Sequence, residues 1–257
     1  MSSLRQAIDS LCPVEAGWQG EVPVNWLQGR TAYGGFSTAL ALVAAQRTVP
    51  DLPPLRSAQV AFVGPLAGVV TASARLLRRG RNATFIEADV DGEAGAGLRA
   101  TFVFMAAMPS SIDHVSGEAP AFSLPGPDTP TSNGHPAIAF SRNFEMLDQR
   151  GGIAPAEWLR WARLVDREGL DPMVELACLA DCLPPAALKL VGAPAPISSM
   201  TWLLNLLTPA PVTRDGWWLL RAATDHARGG SSSQVMQMWN ADGQAVAQQM
   251  QSVAIFA

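Results

Sequence analysis

The chain repeats one plan twice, and this repetition restricts its possible folds more than any other feature. Each half contains a strongly apolar helix followed by four strand-like runs. The turns also match, because Asp91-Gly92 follows the third strand of the first half and Asp242-Gly243 that of the second. A repeat of this kind indicates an internal duplication. The predicted strands are 56–63, 69–77, 83–91 and 98–107 in the first half, and 197–207, 217–224, 232–240 and 245–256 in the second.

Consecutive strands after a single helix predict an antiparallel layer. The expected fold class is α+β, with two copies of a sheet wrapped round a helix and joined edge to edge into one continuous sheet. Residues 109–136 interrupt the pattern with six prolines and three glycines, which is typical of a linker. The domains are therefore 1–108, this linker and 137–257. The remaining expectations are an irregular segment over 1–30 after a short amphipathic start, and strands over 137–147 and 157–165.

The helix of the second half begins at a clear signal. Asp171 is a preferred N-cap residue, and Pro172 suits the first helical position because its missing N–H would be unpaired there anyway. Pro184-Pro185 is expected to end the regular part near Cys182 or Leu183. The residues in between are almost all apolar or small, which is typical of a helix packed inside the protein.

One carboxylate lies in this apolar stretch. Asp181 shares a helix face with Met173 and Ala177, at the spacing i, i+4, i+8. A buried ionisable group needs a partner, or its pKa rises, and such groups cluster at functional sites. Asp181 is therefore the first candidate for chemistry. The alternative is a structural carboxylate that caps a neighbouring loop or pairs with an arginine.

The helix of the first half is predicted over 36–47 and opens with Gly34-Gly35. Glycines at a helix start let backbone N–H groups approach a ligand closely at the positive end of the helix. A tight turn that packs against the sheet explains the same pair without any ligand. The residues alone leave both interpretations open.

Composition excludes several classes of protein. The 257 residues are 48% hydrophobic, enough for a large core, and the net charge of −4 argues against a nucleic-acid surface. No apolar run is long enough to span a membrane, and no metal-ligand set is visible. Cys12, Cys178 and Cys182 are interpreted as free thiols in a reducing compartment. A cytoplasmic location is therefore expected.

Five stretches together resemble a known family. Their order and spacing are similar to those of the acyl-CoA thioesterase II family and its thioesterase-like relatives, over most of residues 20–257 apart from the linker. The resemblance implies the double hotdog fold. The five stretches are Tyr33-Gly-Gly-Phe36 and Ala58–Pro65 in the first half, and Leu176–Asp181, Ser199–Pro209 and Asp242–Gln251 in the second.

The resemblance also implies a site. Members of the family hydrolyse thioesters with an Asp on the second helix, a Thr or Ser on the next strand and a Gln on the last strand. These positions correspond to Asp181, Ser199 and Gln251 in this sequence. The neighbouring candidates are Ser198 and Thr201 for the hydroxyl, and Gln248 and Gln249 for the amide.

The strand patterns agree with this site in part. Gln251 shares a face with Val253 and Ile255, and that face is expected to meet the helix. Simple alternation places Ser199 on the same face as Thr201. Three polar side chains would then converge on apolar ground from three elements, which is how small-molecule sites are built.

The resemblance implies an acyl-CoA substrate and no cofactor. Asp181 is expected to take a proton from a water held by Ser199 and Gln251. Gly34-Gly35 is expected to stabilise the oxyanion, and Thr201 to contact the substrate. A homodimer or homotetramer is also expected. Two other functions stay open on the same fold, a hydratase or dehydratase and a non-catalytic acyl-binding protein.

Overall fold

A computed structural model describes residues 1–192 and 195–256. Within them it contains helices α1 to α3, strands β1 to β14 and three short 3-10 helices. The helices are Leu4–Asp9, Gly34–Thr48 and Pro172–Leu179, and the 3-10 helices are Val24–Trp26, Ala139–Asn143 and Ala186–Leu190. The strands, in order, are Cys12–Val14, Gly17–Glu21, Leu27–Gln28, Thr31–Ala32, Leu55–Phe62, Val69–Arg79, Ala83–Gly92, Gly95–Met105, Phe144–Asp148, Glu157–Leu164, Ile197–Leu206, Trp218–Arg228, Ser231–Trp239 and Ala245–Ile255.

Twelve of the strands form one continuous sheet, in the order β1-β2-β6-β7-β8-β5-β11-β14-β13-β12-β10-β9. All neighbours in it are antiparallel. The two halves meet where β5 pairs with β11, with Val60 opposite Trp202. Outward from this pair, both halves follow the same order of strands. This arrangement confirms the predicted duplicated α+β fold with a single sheet.

The repeat unit is larger than the sequence pattern predicts. Strands β1 and β2 precede α2, just as β9 and β10 precede α3. The prediction of an irregular start over 1–30 was therefore wrong. The strand pattern in the sequence is weak there, because β1 has only three residues and β2 contains two glycines. Pairing of β2 with β6 stabilises this segment as a strand, with Trp18 opposite Ala72. In the second half, residues 139–143 form a 3-10 helix, and the strand begins only at Phe144.

The helix α2 is the centre of the first half. Its residues from Gly35 to Ala45 are all buried, and it packs on β6, β7 and β8 on one side and on α3 on the other. Tyr33, its N-cap residue, stacks on Phe140 of the second half with ring centroids 4.2 Å apart. The start of α2 is therefore fixed against both halves.

The helix α3 ends earlier than predicted. Asp171 caps its first turn as expected, accepting from the backbone N–H groups of Met173 and Val174. The helix stops at Leu179, whereas the sequence pattern extended it to Cys182 or Leu183. After Leu179 the chain tightens, because the backbone N–H of Cys182 donates to the Leu179 carbonyl, three residues back, at 3.0 Å. Asp181 consequently lies in the turn that follows the helix.

The segment between the halves packs as a strap across the outer face of the sheet. Residues 106–138 contain no helix or strand apart from a single bridge to β9. Phe122 and neighbouring apolar residues cover a cluster of three tryptophans and two leucines, which lie on β10, β12 and β13 and, for Trp217, directly before β12. The indole N–H of Trp161 donates to the Phe122 carbonyl at 3.1 Å, and that of Trp239 donates to the Gly117 carbonyl at 3.2 Å.

Among the helices described here, none is long and apolar enough to cross a bilayer.

Candidate active site

Asp181 lies where the two halves of the protein meet. Its Oδ1 atom accepts from Nε2 of Gln251 on β14 at 2.9 Å. The backbone N–H of Gly35, at the start of α2, is close enough to the same carboxylate to lower its pKa. Protein atoms enclose most of the residue, and a small part stays accessible to solvent. The structure thus brings together Asp181, Gln251 and Gly34-Gly35, three of the predicted elements of the site.

Burial gives Asp181 an unusual proton affinity. It raises the pKa of the carboxyl from 3.8 to about 7, although the hydrogen bonds from Gln251 and Gly35 act in the opposite direction. Burial also raises the pKa of the neighbouring Tyr33 and Cys178 well above their ordinary values, and that of Cys182 to about 12. These three neighbours are therefore neutral at pH 7. Asp181 is the group in this cluster that changes charge near neutral pH.

The two glycines allow α2 to approach α3 this closely. A Cβ atom on Gly34 would lie 2.6 Å from Oδ2 of Asp181, and one on Gly35 would lie 2.2 Å from the carbonyl oxygen of Cys178. The hydroxyl of Tyr33 donates to that same carbonyl at 2.8 Å. The sequence left open a helix start that approaches a ligand and a tight turn packed against the sheet. The structure instead shows the glycine pair packed against α3 and the turn that follows it.

Gln251 belongs to a chain of hydrogen bonds that the sequence did not reveal. Nε2 of Gln234, on β13, donates to Oε1 of Gln251 at 2.6 Å. Oε1 of Gln234 in turn accepts from the backbone N–H of Ala186 at 3.0 Å. The two glutamines face each other across the β13–β14 pair, and both are buried. An available signal was that Gln234 shares its strand face with Met236 and Met238, which leaves a polar residue on an apolar face.

The predicted relation between Ser199 and Thr201 was wrong. A β-bulge lies between them, so Ser199 pairs with Val253 while Thr201 pairs with Ser252. Ser199 therefore lies on the helix-facing side of the sheet, as Gln251 does, and its partner Val253 is two residues from Gln251 along β14. Thr201 is exposed on the outer face. The structure shows no hydrogen bond from the Ser199 hydroxyl within residues 1–192 and 195–256. Thr201 is not brought to the site.

The other candidates separate clearly. Ser198 is exposed, and so is Gln248. Gln249 is buried, but its Oε1 atom accepts from the Trp202 indole at 2.9 Å and not from the site. Thr201 lines a groove of about 540 Å³ on the outer face of the sheet, together with Arg99. Gln251 is therefore the glutamine of β14 that contacts Asp181.

The charge state of Asp181 predicts a pH-dependent stability difference. Its pKa is higher in the folded protein, near 7, than the 3.8 of an unfolded chain, so folding takes up a proton between these values. The carboxylate therefore costs stability as the pH rises from 4 to 7, and the full cost is present above pH 7. We expect D181N to gain stability relative to the wild type over this range, by up to a few kcal/mol, roughly. Urea denaturation at pH 4, 6 and 8 measures the free energy of unfolding of both proteins. A difference between them that is the same at all three pH values would contradict the prediction.

The continuous sheet and the two helices that it wraps define a double hotdog protein, with Asp181 between its two repeats. Family models agree with that class. The model for the acyl-CoA thioesterase N-terminal domain matches residues 22–105, and the model for the acyl-CoA thioesterase C-terminal domain matches residues 117–255. The chain belongs to the acyl-CoA thioesterase family. No curated protein matches the sequence significantly.

Solved structures share the whole fold at low sequence identity. A hot dog fold protein of unknown function from Alicyclobacillus acidocaldarius is 23% identical with a TM-score of 0.85, covering 99% of this chain and 98% of the other. The tesB protein of Mycobacterium avium subs paratuberculosis is 20% identical with a TM-score of 0.78, covering both chains fully at 100%. An acyl-CoA thioesterase II from Mycobacterium marinum is 17% identical with a TM-score of 0.75, covering 98% and 97%. At these identities the likeness concerns the fold.

Proposed function

We propose that this protein hydrolyses acyl-CoA thioesters to a free acid and CoA, with a water activated by Asp181. The observation that carries the proposal is the carboxylate of Asp181, a mostly buried residue, which accepts from Gln251 at 2.9 Å beside the start of α2. Family membership supplies the substrate class. A pKa of about 7 suits a general base at neutral pH. About half of the carboxyl groups are then ionised, and each ionised carboxylate is a stronger base than an ordinary aspartate.

In the proposed reaction, Asp181 takes a proton from the water as the water attacks the thioester carbonyl. Gln251 presents its NH₂ group to Asp181, because its Oε1 atom is turned toward Gln234. One hydrogen of its amide goes to Asp181, and the second is free for the water oxygen or the substrate carbonyl. Ser199, on the same face, is the proposed second contact to the water.

The developing oxyanion needs donors that are already in place. The Gly35 N–H is close enough to Asp181 to lower the pKa of the carboxyl, so we do not assign the oxyanion to this donor. Gly34 is the first residue of α2, and its N–H has no partner within the helix. We assign the oxyanion to Gly34 and the free Gln251 hydrogen. The leaving thiolate needs little acid assistance, since a thiol pKa is only ~8.5.

A panel of acyl-CoA substrates of increasing chain length, read with a thiol-detecting dye, tests the proposal. Cys12 is exposed and would react with the dye, so the assay uses C12S to remove this background. Sustained release of CoA supports hydrolysis. Tight binding of acyl-CoA without any thiol release would identify a non-catalytic binding protein instead. A hydratase or dehydratase would need a histidine or a paired acid at the site, and all three histidines are exposed.

The pKa of Asp181 predicts the pH dependence of the reaction. The base must be ionised, so kcat/KM should rise with pH, reach half of its maximum at about pH 7 and level off above pH 8, roughly. Initial rates measured from pH 5 to 9 with one well-hydrolysed acyl-CoA give this profile. A rate that falls steadily through pH 7 would assign an acid, not a base, to the site.

A further inference from the structure

Gln234 lies outside the residues that touch a bound thioester in the proposed reaction, yet its contacts determine what Gln251 can do. Gln234 is 1% exposed and Gln251 is 2% exposed, so their amide groups depend on protein partners. The chain of contacts runs from the Ala186 backbone through Gln234 and Gln251 to Asp181, with distances of 3.0, 2.6 and 2.9 Å.

The direction of every bond in this chain follows from its first member. A backbone N–H can only donate, so the atom of Gln234 that meets Ala186 must be the oxygen. Gln234 therefore presents its NH₂ group to Gln251, which must answer with its oxygen. Gln251 is left to present NH₂ to Asp181. A glutamine amide has nearly the same shape in either orientation, so without Gln234 it could turn its carbonyl oxygen toward the carboxylate.

In the part of the chain that the structure describes, no other ionisable group near Asp181 is charged at pH 7 and able to take over the role of Gln234 in orienting the Gln251 amide. From α2 and its cap, Tyr33 and the Gly35 backbone face the carboxylate, and from α3 and the following turn Cys178 and Cys182 do. The pKa of each side chain in that set is raised, so all are neutral at pH 7. The charged groups beyond them are Arg160 on β10, which is paired with Asp148 on β9 at 2.6 Å, and Glu175 on α3.

We propose that Gln234 is a positioning residue of the site, which locks the amide of Gln251 in the orientation that donates to Asp181. Its catalytic meaning rests on the proposed thioester hydrolysis, but the lock itself is a property of the folded protein. Loss of Gln234 lets Gln251 turn, which removes a hydrogen bond from the ionised carboxylate and makes it hold its proton more tightly.

The variant Q234M tests this, because methionine is neutral and of similar length. We expect the midpoint of the kcat/KM profile, and the midpoint of the Asp181 carboxyl titration followed by ¹³C NMR, to rise together by about one pH unit. Q249M is the matched control, since it removes another buried glutamine of the same sheet face that does not contact Asp181. Its two midpoints should equal those of the wild type.

A second variant keeps the test possible if Q234M does not fold. In Q234L the side chain can neither donate nor accept, so Gln251 is again free to turn, and the midpoint should rise as in Q234M. An unchanged Asp181 titration in either folded variant overturns the proposal, even if its activity falls. If the wild type releases no CoA from any substrate while the NMR midpoint still rises in Q234M, the proposed function fails and the lock stands.

Discussion

Exchange of Asp181 for asparagine should lower kcat/KM for acyl-CoA hydrolysis by a factor of about 10² to 10⁴, the range that a positioned general base contributes. Asparagine keeps the shape of the side chain and an oxygen that can accept from Gln251, but it cannot take a proton from water. The loss should therefore occur without loss of the fold. Release of CoA measured with the thiol dye, alongside circular dichroism spectra, shows whether the two effects separate.

Glu175 provides the matched control for this exchange. It is a partly buried carboxylate on α3, and burial raises its pKa as well, but among the described residues it forms no hydrogen bond with Gln251 or Gly35. E175Q should keep activity within a factor of about two, since surrounding charge is all that it changes. If D181N and E175Q hydrolyse acyl-CoA equally well, Asp181 is not the base.

Exchange of Gly35 for alanine should destabilise the protein by about 3 kcal/mol or more, or prevent folding. Alanine is normally the better residue in a helix, by about 1 kcal/mol. Here its Cβ atom would lie 2.2 Å from the Cys178 carbonyl and 2.7 Å from the Tyr33 hydroxyl, and both groups belong to the close contact between α2 and α3. The helices must separate, and the Gly35 N–H must move away from Asp181.

The midpoint of urea denaturation measures this loss. G151A is the control, because the added methyl group meets nothing within 4 Å there. Its stability should stay within about 0.5 kcal/mol of the wild type, as is usual for surface changes. A G35A protein as stable as G151A would mean that α2 and α3 do not approach as closely as the structure shows.

The residues predicted for the site fall into two groups, those that the structure brings together and those that a β-bulge redirects. Asp181, Gln251 and Gly34-Gly35 come together, although the sequence pattern put Asp181 inside the helix and left the glycines ambiguous. Ser199 and Thr201 did not follow simple alternation, because a bulge inserts one residue and reverses the faces on either side of it. Such a bulge has no local signature in this stretch.

The linear sequence was sufficient to predict the duplicated plan, the places of α2 and α3 in the chain and nine of the strands, β5 to β8 and β10 to β14. Those features depend on the spacing of apolar residues and on turn residues nearby in the chain, so a linear pattern is sufficient to predict them. Only the tertiary structure decided the short leading strands, the bulge in β11, the Gly35 contact to Asp181 and the chain from Ala186 to Gln251. Each of these depends on segments far apart in sequence, whose register and separation are fixed only when the two halves pack against each other.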